Sequence, residues 1–287
     1  MRSIQELFAE MGPSESRVPA ESGDYYGEDG LLRCGTCGGR KEYLFSLNGH
    51  YVPCACGCEQ EKRRLEEERR KREREIDAVK RMASYSLMDD KFYASTFDAF
   101  TCQTDQDRRI LSLCRRYVEN FDRAVEENTG LFFYGPPGTG KTFAASCIAN
   151  ALMERRISVL ATSIVRLTAD AFGDGLNETL GRMNQARLLV LDDFGAERNT
   201  DFKVEQIFTV IDARYAAGKP MILTSNLSDF KNEDDIRRLR IYDRIFEVCI
   251  PVRMEGVSRR KTAGTANRRR SGRWLYGNDS GSRAEAW

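Results

Sequence analysis

Residues 130–156 read GLFFYGPPGTGKTFAASCIANALMERR, and few stretches restrict a fold as tightly. A short apolar run, a glycine-rich octet and a helix-patterned segment follow one another without a gap. The octet, Gly135-Pro136-Pro137-Gly138-Thr139-Gly140-Lys141-Thr142, fits G-x-x-x-x-G-K-S/T, and its flanks supply the strand and helix that such a loop requires. Glycines at 135, 138 and 140 let backbone N–H groups close around phosphate oxygens, and the helix after them turns the positive end of its dipole on the same anion. Lys141 adds a point charge for the β- and γ-phosphates, and the Thr142 hydroxyl is a Mg²⁺ ligand. The octet therefore predicts a triphosphate site at the end of a buried strand.

The surrounding residues, about 82 to 258, alternate in the same way. LFFYG leads into a helix from Lys141 to about Arg156, SVLATS into another, LLVLDD into one over 204–217, and MILTSN into a charged helix before VCIPV. Strand runs alternating with helices predict an α/β fold, a parallel sheet covered on both faces. Ligands of such sheets lie at the C-terminal ends of the strands. LLVLDD puts Asp192 and Asp193 there, Asp192 to join the Mg²⁺ shell beside Thr142 and Asp193 to position or deprotonate an attacking water. Asn226, closing MILTSN, is placed to orient that water.

A second cluster is made of sulfur. Five of the nine cysteines fall between Cys34 and Cys58, in a stretch with too few apolar residues to bury free thiols. Cys34 and Cys37 form a CxxC turn rich in glycine, and Cys54, Cys56 and Cys58 follow after sixteen residues. Two short clusters at that separation predict a tetrahedral structural Zn²⁺, bound by four of these five thiols, with His50 as a competitor. His50 is also the sole histidine, so Ser-His and Cys-His chemistry elsewhere in the chain is excluded. No apolar run approaches the ~20 residues that cross a bilayer, and the first residues have acids where an export signal needs an apolar stretch. The expected compartment is the cytoplasm.

The net charge of +1 is a cancellation. Residues 1–58 carry 5 basic and 8 acidic side chains, 59–81 carry 10 and 8, 82–258 carry 22 and 26, and 259–287 carry 8 and 2. The second segment, with 18 charged residues of 23, reads as a solvated helix with Glu-first pairs such as Glu66–Arg70 and Glu68–Arg72. Four regions are expected: a leader and zinc-binding unit at 1–58, a charged helical linker at 59–96, an ATPase domain at 97–258 and a disordered basic tail at 259–287.

GPPGTGKT, LLVLDDFGAE, LTSN and RIYDRIFEVCIPVRMEG, in that order, resemble the AAA+ ATPases of the DnaC/DnaI helicase-loader and IstB group over roughly Phe97 to Arg260. The resemblance implies an AAA+ P-loop fold with Lys141 and Thr142 as Walker A, Asp192 and Asp193 as Walker B, and Asn226 as sensor 1. It also implies that Arg244 is an arginine finger completing a neighbouring subunit's site, with Arg240 as the alternative. The second Walker B acid is Asp where AAA+ proteins usually have Glu, which predicts slow, switch-like hydrolysis. The 36 residues after Pro251 are too few and too polar for a helical lid, so the lid is expected to be reduced. Arg259 and Arg260 are then either a minimal substitute for sensor 2 or part of the tail. In KFYASTFDAF, Phe97 and Phe100 either wall the adenine or pack in the core.

Loaders of the DnaI kind carry a zinc-bound unit, which IstB-type ATPases usually lack. The resemblance therefore implies a loader that binds ATP, Mg²⁺ and Zn²⁺, docks on a replicative DNA helicase and helps place it on single-stranded DNA. The alternative is an IstB-like ATPase regulating DNA transposition. The helix at 164–172, with Arg166, and the basic tail are the expected contacts to single-stranded DNA, the tail being equally readable as a solvated end.

Overall fold

The computed structural model describes residues 17–45, 50–86, 88–173, 175–195, 201–227, 235–256 and 258–260, with isolated positions 265, 268 and 271. The leader before residue 17 lies outside the described residues. So does most of 259–287, where the described positions 259, 260, 265, 268 and 271 have helical backbone. The chain divides into two compact units between Arg74 and Glu75.

The first unit has little apolar interior. Strands β1 (Tyr25–Tyr26) and β2 (Leu32–Arg33) form one antiparallel pair, and β3 (Glu42–Phe45) and β4 (His50–Pro53) form another. Two-stranded ladders are marginal in water without a packed face. Here Leu32 is fully buried, while Tyr25, Tyr26, Tyr43, Leu44 and Val52 are about half exposed. Polar ties stand in for a core: Lys41 Nζ lies 2.7 Å from both Glu21 and Asp24, and the buried Glu42 accepts from the backbone N–H of Leu32 at 3.0 Å.

Helix α1 (Gly57–Tyr85) is the expected charged helix, and the division between the units falls within it. Its pairs are Arg63–Glu59, Arg64 with Glu61 and Glu68, and Arg69–Glu73, a different choice of partners from Glu66–Arg70 and Glu68–Arg72. The two charge signs are dense enough to allow several registers at three- and four-residue spacing, and pairs this exposed contribute little each. Among the described residues no helix is long and apolar enough to cross a membrane.

The second unit is built on five parallel strands, β5 (Gly130–Tyr134), β6 (Val159–Ser163), β7 (Leu188–Phe194), β8 (Met221–Ser225) and β9 (Cys249–Arg253). Their order is β6-β7-β8-β5-β9, so β5, which carries the phosphate loop, is flanked by β8 and β9. One face of the sheet, with Leu131, Phe133, Val190 and Ile222, packs on α3 (Asp105–Glu119), α4 (Phe121–Glu126) and α5 (Lys141–Glu154). The other, with Phe132, Leu189, Leu191 and Leu223, packs on α6 (Ile164–Gly173), α7 (Leu176–Gln185), α8 (Asp201–Ala216) and α9 (Ile236–Val248). Continuous apolar strands are what burial on both faces requires. Short α2 (Asp90–Tyr93) is pinned to α5 by Asn150, whose Nδ2 donates to the carbonyls of Phe92, Tyr93 and Ser95.

One buried cation was not foreseen. Arg214 of α8 is fully buried, and its guanidinium donates to the carbonyls of Met183, Ala186, Arg187 and Pro220. It ties the end of α7 to the start of β8. Burial lowers its pKa to about 10.

Candidate functional site

The loop between β5 and α5 has the backbone that the glycine pattern predicts. Gly135, Gly138 and Gly140 lie at φ of 133°, 85° and 98°, a region side chains disfavour. Space matters as well, since a Cβ at Gly138 would lie 2.1 Å from Ser258 Oγ. Pro136 and Pro137 are exposed on the outside of the loop, and the buried Thr139 donates to the Pro136 carbonyl at 3.0 Å. Lys141 Nζ donates to the carbonyls of Gly135 and Pro136 at 2.9 and 2.8 Å, so it is already folded back over the loop. Burial lowers the Lys141 pKa, and Asp193 and Asp192 oppose that shift.

The acids are aimed by a break in the strand. In β7, residues 188 and 190 face the α5 side and 189 and 191 the α8 side, so a regular strand would send Asp192 and Phe194 to one face and Asp193 to the other. The pairing with β8 instead shifts between Leu191 and Phe194, and Asp193 takes φ 56°. This is a bulge, and it returns Phe194 to the α8 side, where its ring meets Phe132 and Tyr242. Both carboxylates consequently serve one site. Asp192 Oδ1 accepts from Thr142 Oγ1 at 2.8 Å and Thr224 Oγ1 at 2.5 Å, and Asp193 Oδ1 accepts from Asn226 Nδ2 at 3.2 Å.

Thr224 is a site residue that the sequence reading missed. Its hydroxyl donates to Asp192 and accepts from the backbone N–H of Asp193 at 3.1 Å, which fixes the bulge. The signal was present in MILTSN, two residues before Asn226. Asp192 is nearly buried, and that burial raises its pKa against the hydrogen bonds from Thr224 and Thr142 that lower it.

Lys141, Thr142, Asp193 and Asn226 line a cleft of about 330 Å³ together with Ala99, Gly138, Gly140, Phe143, Arg259 and Arg260. That size is at the low end for small-molecule sites. Arg259 is part of the site: its backbone N–H donates to the Gly138 carbonyl at 2.9 Å, and its side chain pairs with Asp107 and lies over Phe100. Phe100 is buried against Phe143, and Phe97 packs on the same core with Arg115 over its ring. Ala99 is the residue of that segment which reaches the cleft. Arg244 and Arg240 are not among the cleft's lining residues; both sit on α9, Arg240 exposed and Arg244 paired with Asp212 at 2.7 Å. Arg166 is exposed on the first turn of α6.

In the first unit, the sulfurs of Cys34, Cys37, Cys56 and Cys58 all lie within 4.8 Å of one another. The Cys56–Cys58 and Cys34–Cys58 separations are 3.2 Å and 3.5 Å. Those are too long for disulfides and close to the roughly 3.8 Å edge of a tetrahedron with Zn–S bonds of about 2.3 Å. Of the five candidate thiols, Cys54 is the one left out: its sulfur donates to the Arg40 carbonyl at 3.3 Å, and His50 is likewise no member of the cluster.

The four-sulfur site is also electrostatically suited to a cation. Backbone N–H groups of Cys58 and Gly39 bring the Cys37 thiol down to about 6, and those of Cys37 and Thr36 lower Cys34. Cys58, holding a proton among the other sulfurs, is pushed up to about 12. A divalent metal replaces such a shared proton and favours all four thiolates, so the donor set fits zinc.

Comparison with known proteins agrees with the phosphate-loop half of this geometry. The family described as IstB-like ATP binding protein matches residues 61–266. The replicative helicase loader DnaI of Bacillus subtilis is 31% identical over 164 residues, 50% of this chain and 53% of that protein. The chain thus spans about half the length of that relative. Phage-like element PBSX protein XkdC of Bacillus subtilis is 27% identical over 269 residues, covering 88% of this chain and 94% of its own. A crystal structure of DnaI superposes with a TM-score of 0.53 at 23% identity, covering 62% of this chain and 99% of that one, which establishes the fold. With its phosphate loop, paired strand-end acids and five-stranded parallel sheet, the chain belongs to the IstB-like ATP-binding family, the IstB/DnaC-type AAA+ ATPases.

Proposed function

We propose that this protein is an ATP-dependent helicase loader, which docks on a replicative DNA helicase and helps place it on single-stranded DNA. The observation that carries the reading is the pairing, in one chain, of the ATP-binding unit with a built four-sulfur site, alongside relatives named replicative helicase loaders. The acidic balance of residues 1–58 suits a protein partner better than DNA.

The site residues divide the work on ATP. The loop N–H groups and Lys141 bind the phosphates, Lys141 exchanging the carbonyls of Gly135 and Pro136 for phosphate oxygens. Thr142 and Asp192 would hold Mg²⁺, whose chemistry is to neutralise charge on the β- and γ-phosphates. Asp193, held by Asn226, orients the attacking water. An aspartate is one methylene shorter than the usual glutamate and reaches that water less well, so hydrolysis is slow and ATP acts as a switch. Arg244 of one copy completes the site of the next, which makes self-association part of the cycle. Zinc on Cys34, Cys37, Cys56 and Cys58 holds the first unit folded.

The test is deposition of the purified replicative helicase on circular single-stranded DNA, read as unwinding of an annealed strand. Stimulation by the wild-type protein with ATP, absent with Lys141→Ala, is the expected result. No stimulation, together with ATP-dependent filaments on duplex DNA, would instead support a regulator of transposition.

A further inference from the structure

Arg244 lies in a slot made by a single stripe of α8. Phe208, Asp212 and Tyr215 are spaced four and three residues apart, so they project from one face of that helix. The Arg244 guanidinium lies 5.4 Å from the centre of the Phe208 ring and 5.2 Å from that of Tyr215, with Asp212 Oδ1 2.7 Å from its Nε. The slot is itself braced, because the Tyr215 hydroxyl donates to Glu247 at 2.7 Å, one turn after Arg244 on α9.

This differs from an ordinary surface ion pair, which orders its partners little. Rings attract a guanidinium through their faces and restrict its rotation. Nε of Arg244 is buried 2.7 Å from Asp212 Oδ1 without an aligned hydrogen bond, so Asp212 holds it by charge and the two rings by their faces; a third of the side chain is exposed, and among the described residues no acceptor binds its two terminal amino groups. A guanidinium held on its Nε side by a carboxylate's charge and two ring faces, with its far edge open, is prepared for a two-point grip on an anion from outside. Arg240, one turn earlier, is exposed and has no such frame among the described residues.

We propose that Asp212, Phe208 and Tyr215 are positioning residues, which hold the Arg244 guanidinium in the orientation that meets the phosphates of ATP bound to a second copy of this chain. The proposal rests on the reading of Arg244 as a finger acting in trans, and it selects Arg244 over Arg240. The three residues touch no phosphate; they act through Arg244.

Mixed subunits test it. Full-length Lys141→Ala protein lacks a working site but supplies a finger, and Arg244→Ala protein supplies a site without a finger. Each alone should hydrolyse ATP poorly, and their mixture should recover turnover. Asp212→Asn added to the finger-supplying subunit should then lower the recovered kcat by roughly tenfold or more, with KM for ATP unchanged and partial rescue by Asp212→Glu. Added to the site-supplying subunit, it should change the recovered rate little, since the guanidinium it would hold is already gone. Phe208→Leu repeats the test with apolar bulk kept, and far-UV circular dichroism checks that each variant folds. An equal loss from both placements, or none from either, overturns the positioning role. A mixture that recovers nothing overturns the trans reading and the positioning role with it.

Discussion

The two units hold their chemistry in place by opposite means. In the first, four sulfurs from two short clusters meet within 4.8 Å while most of its large apolar side chains stay exposed. In the second, the acids end a strand and the lysine opens the helix after another strand of one sheet buried on both faces, with Phe132, Phe133, Leu188 and Ile222 fully or almost fully buried. A structure of the first kind would depend on a bound metal; one of the second kind depends on packing and tolerates an empty site.

The largest expected effect breaks that contrast most sharply. Chelation should remove a contribution on the order of 10 kcal/mol from the first unit, since a structural zinc is folding free energy. Limited proteolysis read by mass spectrometry should then cut between residues 17 and 58 while Mg-ATP binding persists. Cleavage confined to the sheet unit would reverse the comparison. Next in size, Cys58→Ser should lower the zinc content from about one per chain to near zero, whereas Cys54→Ser should leave it unchanged, as metal analysis would report.

Lys141→Ala moves the other unit. It should weaken ATP binding by roughly a hundredfold, measured by fluorescent-nucleotide titration, with zinc content unaltered. The smallest effect concerns Asp192. Burial raises its pKa above the ordinary 3.8, so the contribution of this group to the stability of the nucleotide-free unit is fully present below that value and is lost as pH rises through the higher folded value. Asp192→Asn removes this cost and should raise the unfolding temperature by about 2 °C at pH 7.5, but not at pH 3.5. The same variant should lose stabilisation by Mg-ATP, which separates the folding cost of the acid from its use.

How much was legible follows the same division. The phosphate loop and the five strands could be read because their signals are local: GPPGTGKT lies between an apolar run and a helix pattern, and each strand is built on a short apolar run. Asp192, Asp193 and Asn226 could be placed at one edge of the sheet because they end such stretches. Their geometry could not, since it depends on a bulge fixed by Thr224 of a different strand. Arg214 resembled any other helix-face arginine, three of its four carbonyl partners, those of Met183, Ala186 and Arg187, being supplied from far along the chain. Arg259 looked like the start of a tail, and its ties to Asp107 and Gly138 span more than a hundred residues. For the cysteines, spacing allowed Cys54 or Cys58. The start of α1 at Gly57 brings Cys58 within 3.5 Å of Cys34, while Cys54 hydrogen-bonds back to Arg40.

The proposed loader joins both units in one task, the zinc-held unit recognising a helicase and the sheet unit switching with ATP. Co-purification with the cell's replicative helicase tests that directly, using wild type, Cys34→Ser and Lys141→Ala, each with and without ATP. The account predicts that wild type and Lys141→Ala retain the helicase and that Cys34→Ser loses it, with ATP altering the wild-type complex alone. Absence of the helicase from the wild-type complex, or its full retention by Cys34→Ser, would contradict it.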